Sequence, residues 1–187
     1  MNEPAGALTT YAEYLALESA SEVKHEFIEG RVRAMAGGTI EHSRLTSRFI
    51  HLLSAGLGDR RCEVFSSDAK IRIDASDRTT YADLFVVCES LERSEVDPEG
   101  VVNPVVIVEV LSDSTEAYDR GEKFRHYRRL KHLREYVLVS QKDKLVEIWR
   151  REGDLWRVTE HGEGEQIHLA SLDARVSVDA LYDNPLG

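Results

Sequence analysis

The stretch VVIVEVLSDSTEAYDRGEKFRHYRR, Val105–Arg129, opens on an acid set inside an apolar run. Four β-branched residues precede Glu109, and Val110 and Leu111 follow it. A short apolar run of this kind reads as a strand buried on both faces. A lone carboxylate there is costly unless it is neutralised, hydrogen-bonded or bound to a cation. Beyond the strand, Asp119 is read as the cap of a helix running to about His132. At about 100° per residue, Phe124, Tyr127 and Leu130 form an inward arc with Lys123 inside it, while Arg125, Arg128 and Arg129 point away. An inward lysine needs a buried anion, and Glu109 is the candidate that the preceding strand supplies.

Upstream, YADLFVV places Asp83 at the start of another strand whose remainder is apolar. If the two strands are neighbours, Asp83 and Glu109 converge at one end of the sheet. Two carboxylates repel unless a cation lies between them, and hard oxygen ligands favour Mg²⁺ or Mn²⁺. The structural alternative is that Asp83 caps a turn and Glu109 forms an ion pair, with an arginine or with Lys123, and does no chemistry.

Working outward, Thr10-Tyr-Ala-Glu13 has the spacing of a capping box, which predicts a helix over about 10–19. HEFIEGRVRAMA, 25–36, alternates around Glu29-Gly30 and predicts a hairpin. Leu45, Phe49, Leu52 and Leu53 predict a second helix near 40–56, stopped by Gly56 and Gly58. CEVFSS, KIRID, YADLFVV and PVVIVEV read as strands, and the acidic segment 89–104 as an exposed loop. EYVLVS, KLVEIWR and DLWRVTE predict a meander with turns at Lys142-Asp143 and Glu152-Gly153, Trp149 facing Trp156 across it. One short strand and a brief helix near Ser177–Tyr182 end the chain. No repeat or linker stands out, so the expectation is one domain over 1–187, with flexible tails at about 1–9 and 184–187. The fold class is mixed α/β, or α+β, with a mixed sheet flanked by helices and an added antiparallel meander.

Composition removes several functions. The chain has 187 residues, 42% hydrophobic and 31% charged, with a net charge of −10. That charge opposes nonspecific coating of nucleic acid. Arg120, Lys123, Arg125, Arg128, Arg129, Lys131 and Arg134 face only Glu122 within their own stretch, a local basic helix. No apolar run approaches the length needed to span a bilayer. The N-terminus shows no secretion signal, and Cys62 and Cys88, without CxxC spacing, read as buried, reduced thiols of a cytoplasmic protein, with a bridge between them as the alternative. Histidine spacing offers no zinc site, and no nucleophile elbow or phosphate-binding glycine loop occurs.

The ordered set HEFIEGRV, HSRL, SSDAKIRI, YADLFVV, NPVVIVEVLSDST, DRGEKFRHYRRL and REYVLVS resembles the large bacterial endonuclease family called Uma-two, of the PD-(D/E)XK restriction-endonuclease-like superfamily. The resemblance covers roughly residues 10–180. It implies a restriction-endonuclease-like core with a divalent cation at the end of two central strands. By position Asp83 matches the PD aspartate and Glu109 the acid of (D/E)XK, with the Val110 carbonyl as a further metal ligand. Glu26 matches an acid supplied from an N-terminal element, and His42 a histidine common in the family. Ala82 replaces the proline, and Leu111 the lysine, of the superfamily pattern. The resemblance displaces that lysine to Lys123, with Lys70 in SDAKIRI as its rival.

These readings give a Mg²⁺- or Mn²⁺-dependent endonuclease acting on DNA. Asp83 and Glu109 would hold the ion, Glu26 would hold a second ion or its water, and Lys123 would be catalytic; a homodimer follows from the resemblance. Arg120 and Lys131 would supply local charge for DNA. The alternative, supported by Leu111 and the acidic surface, is a non-catalytic nucleic-acid- or protein-binding regulatory domain that keeps the nuclease fold.

Overall fold

The computed structural model describes residues 8–35 and 37–186. Much of the expected tails and Ala36 of the expected hairpin lie outside them. Helix α1, Tyr11–Ala20, begins with the capping box: Thr10 Oγ1 accepts the Glu13 amide, and the Glu13 carboxylate accepts the Thr10 amide at 2.7 Å. Strands β1, His25–Ile28, and β2, Arg31–Ala34, join through Glu29 and Gly30, both at positive φ. That turn matches the right-handed twist of its strands. Helix α2, Ile40–Leu57, is capped by Thr39, whose side chain accepts the His42 amide, and ends at Gly58 with φ 56°.

Strands β3, Cys62–Ser66, and β4, Lys70–Ile73, follow. The run expected as one strand, YADLFVV, is broken. Strand β5, Arg78–Tyr81, ends before Ala82-Asp83, and β6, Leu84–Cys88, continues in a different sheet. Segment 89–104 is not an exposed loop either. It holds β7, Arg93–Ser94, and β8, Asp97–Val101. Its buried polar side chains are paired: Ser94 donates to Asp74, Asp97 accepts from Tyr11, and Asn103 bridges Glu92 and Ser90.

After β9, Val106–Val110, the helical segment comprises α3, Glu116–Tyr118, a π-helical turn at Asp119–Lys123, and α4, Phe124–Tyr127. Asp119 is therefore inside the helix, not its cap, and the helix stops short of His132. The rest of the chain contains β10, Glu135–Val139, β11, Val146–Glu152, β12, Leu155–His161, β13, Gln166–Leu169, β14, Ala174–Ser177, and α5, Val178–Tyr182. The tail thus forms a two-stranded hairpin where one strand was expected. Trp156 lies opposite Arg151, not Trp149, and both indoles pack edge-on against Phe124.

Two mixed six-stranded sheets result, ordered β2-β1-β5-β4-β8-β7 and β12-β11-β10-β9-β6-β3. In the second, β9 and β10 are parallel and β6 runs antiparallel to β9. Period-two alternation sends Val86, Val108 and Val137 to a core shared with Leu45, Phe49 and Leu53 of α2. Phe85, Ile107 and Tyr136 face the other way, onto Ile71 and Ile73 of the first sheet and Tyr127 of the helical segment.

The cysteines overturn the expectation of reduced thiols. Pairing of β3 with β6 sets Cys62 directly opposite Cys88, with Cα atoms 4.0 Å apart, and the two are joined as a disulfide. Among the described residues no helix is long and apolar enough to cross a membrane.

Candidate active site

Alternation along β9 places Glu109 on the same face as Ile107, toward the helical segment, and Asp83 precedes Leu84, which pairs with Val108. Asp83 therefore lies beside the end of β9, close enough to Glu109 for the two carboxylates to interact electrostatically. Asp83 Oδ2 accepts the Val110 amide at 2.6 Å and lies 3.1 Å from His42 Nε2. His42 is thus turned onto Asp83 from the start of α2 and is not a solvent-facing residue. Gly38 lies close against the His42 ring: a Cβ there would come within 2.8 Å of Nδ1.

Lys123 Nζ is 2.8 Å from Glu109 Oε1 and 3.6 Å from Asp119 Oδ1. Tyr127 Oη donates to the same Oε1 at 2.9 Å. Glu109, Asp119 and Lys123 are all buried, whereas the Asp83 and His42 side chains are 17% and 20% exposed, so solvent reaches the site from their side. Glu26, also buried, accepts from Thr80 Oγ1 and from Tyr118 Oη, and Arg78 Nη2 lies 3.8 Å away. It interacts electrostatically with Lys123. Lys70 points elsewhere, 3.0 Å from Asp97 on the first sheet. Leu111, in the superfamily's lysine position, is buried in the core.

Negative charge outweighs positive here. Burial pushes the Glu109 carboxyl well above its ordinary range; Lys123 opposes this, and Asp83 and Asp119 add to it. Burial likewise raises Asp119 against the pull of Lys123. Burial by itself would depress the Lys123 ammonium, but Glu109, Asp119 and Glu26 together raise it, so it stays protonated. The hydrogen bond to Asp83 raises His42 above 6.5.

The donor set suits a hard cation. Both contacts on Asp83 fall on Oδ2 and both donors on Glu109 fall on Oε1, so each carboxylate has a second oxygen outside these contacts. Among the described residues, however, no three His, Cys, Asp or Glu side chains form a ready-made metal cluster.

Residue reading missed several partners. Asp119 was assigned to capping, although its spacing of four from Lys123 was the available signal. Tyr118, Thr80 and Arg78 around Glu26 have no local signature. Arg120, expected to offer charge to DNA, is bound to Glu147 through both Nη atoms at 2.7 and 2.5 Å. Lys131 remains exposed.

The model of the Uma2 family, described as "Putative restriction endonuclease", matches residues 11–179. Two proteins of Synechocystis sp., each named only as uncharacterized, are similar along most of their length. One, slr1290, is 35% identical and covers 91% of this chain and 89% of that protein. The other, sll1609, is 37% identical and covers 88% and 94%. A crystal structure from Anabaena variabilis, described as "a putative nuclease belonging to DUF820", superposes with a TM-score of 0.73 at 19% identity, over 91% of this chain and 96% of that one. At that identity the likeness concerns the fold, a mixed α+β architecture with a restriction-endonuclease-like core. On its match from residue 11 to residue 179, the chain belongs to the Uma2 family.

Proposed function

We propose that the protein is a divalent-cation-dependent endonuclease that hydrolyses DNA phosphodiester bonds. The observation that supports this reading is the grouping of Asp83, which accepts the Val110 amide next to Glu109, with Lys123 Nζ 2.8 Å from Glu109. Asp83, Glu109 and the Val110 carbonyl would hold Mg²⁺ or Mn²⁺, all oxygen donors. Such an ion supplies Lewis acidity and a water of lowered pKa, so no side-chain nucleophile is needed. Lys123 orients the attacking water and stabilises charge developing on phosphorus. Glu26, oriented by Thr80 and Tyr118, would hold a further ion or its water. His42 orients Asp83. A homodimer belongs to the same reading and rests on the family resemblance, and sedimentation checks it; a cytoplasmic location rests on the expected lack of a secretion signal and no longer on the cysteines, which are paired.

A second reading, a regulatory domain that keeps the fold without catalysis, has two observations in its favour. Lys123 already neutralises Glu109, and the described residues hold no ready-made three-ligand cluster. One experiment separates the two. Supercoiled DNA and single-stranded RNA are incubated with the protein and increasing Mg²⁺ or Mn²⁺, then again with Asp83→Ala. The nuclease reading expects cation-dependent DNA nicking that the variant lacks. No cleavage, or cleavage that survives the substitution, overturns it.

A further inference from the structure

We infer that Asp119 is a second seat for the Lys123 ammonium, which holds the lysine inside the site when a divalent cation claims Glu109. The inference rests on the cation reading above and concerns how the chain accommodates that ion. With no cation, Glu109 Oε1 is the partner of Lys123 at 2.8 Å. A cation on the same carboxylate repels the ammonium. A lysine that stays competes with the ion; one that leaves becomes an unpaired buried charge. Asp119 removes that dilemma. Its Oδ1 is 3.6 Å from Nζ, within reach of a small change in the flexible lysine stem.

The local backbone is built for this. The two residues begin and end the π-helical turn Asp119–Lys123, a widened turn that frequently accompanies functional sites. Tyr136 Oη donates to the Asp119 carbonyl at 3.0 Å and pins that turn from β10. Asp119 is itself buried, and its carboxylate is also held by a hydrogen bond from Thr115. It is a positioning residue that acts through Lys123, not a ligand of the ion.

Mn²⁺ affinity, measured by calorimetry on the full chain, tests this through a double-mutant cycle. Asp119→Asn leaves the lysine on Glu109 and should weaken Mn²⁺ binding about tenfold. In the Lys123→Met background the same substitution should change affinity by no more than about twofold. Asp119→Ser makes the same comparison if Asp119→Asn does not fold, as judged by thermal melts. Equal weakening in both backgrounds, or none in the otherwise wild-type chain, overturns the assignment of Asp119 and leaves the cation reading standing. A wild-type chain that binds no Mn²⁺ overturns both.

Discussion

Burial first, and then the neighbouring Asp83 and Asp119 against the pull of Lys123, favour the protonated form of Glu109. Its folded pKa is raised, so its contribution to stability is fully present below its ordinary value of 4.5 and is lost as pH climbs through the raised value. His42 acts in the same direction, its contribution being lost as pH rises through a value above 6.5. The metal-free protein should therefore melt at lower temperature as pH goes from about 5 to about 8, and Glu109→Gln should flatten that dependence. At neutral pH, Glu109→Gln should be as stable as wild type or about 1 kcal/mol more stable, since Lys123 keeps Asp119 as a partner. A loss of about 3–5 kcal/mol would instead identify a structural ion pair. The two lysines separate by a different measurement. Lys123→Met should lower turnover about 10²-fold without weakening cation binding. Lys70→Met should leave turnover within about threefold, because Lys70 is engaged by Asp97. Loss of activity in Lys70→Met alone would reverse the assignment.

Among the elements, edge strand β3 and the start of α2 both support the strands that carry the site. Strand β3 pairs with β6, which begins one residue after Asp83, and the Cys62–Cys88 bridge closes a separation of 26 residues across that pair. Reduction, or Cys62→Ser with Cys88→Ser, should lower stability by about 3 kcal/mol through the freed unfolded chain. Denaturant melts with and without dithiothreitol measure it, and identical midpoints would show that the bridge does not form in solution. At α2, Thr39 caps the helix and donates to Gln141, whose amide reaches the Leu111 carbonyl at 2.6 Å. This chain of bonds ties His42 to the end of β9. Thr39→Ala should destabilise the fold by about 1 kcal/mol, seen as a lower urea midpoint with unchanged slope.

The whole molecule carries a net charge of −10, and Arg120 is neutralised by Glu147. Exposed cationic side chains outside the ion pairs remain, Arg31, Arg33, Arg93, Arg125, Arg128, Arg129, Lys131, Arg134 and Arg175 among them, but they are spread over several elements, so only a few can follow one phosphate backbone at a time. DNA binding should accordingly weaken with salt along a shallow log–log slope of about −3, each phosphate contact contributing about −0.9. Binding isotherms at several salt concentrations read this slope directly. A value near −8 would mean a broad basic footprint, for which the acidic surface has no room.

The sequence by itself determined what depends on near neighbours. The capping box at Thr10 and Glu13, the turn at Glu29 and Gly30, and the stop at Gly58 each involve residues at most a few positions apart. Helical periodicity is equally local, and it suffices to place Lys123 on the inward arc. Tertiary structure decided the rest. Chain continuity made YADLFVV look like one strand, but its halves pair with different sheets. Acidic composition made 89–104 look like a loop, because Tyr11, Lys70 and Asp74, which satisfy its buried polar groups, are distant in sequence. The cysteines likewise needed the register of β3 on β6, and Asp119 needed the widened helical turn. Caps and periodicity draw their energy from within about four residues, whereas strand pairing and buried charge are settled by partners that only the folded chain brings together.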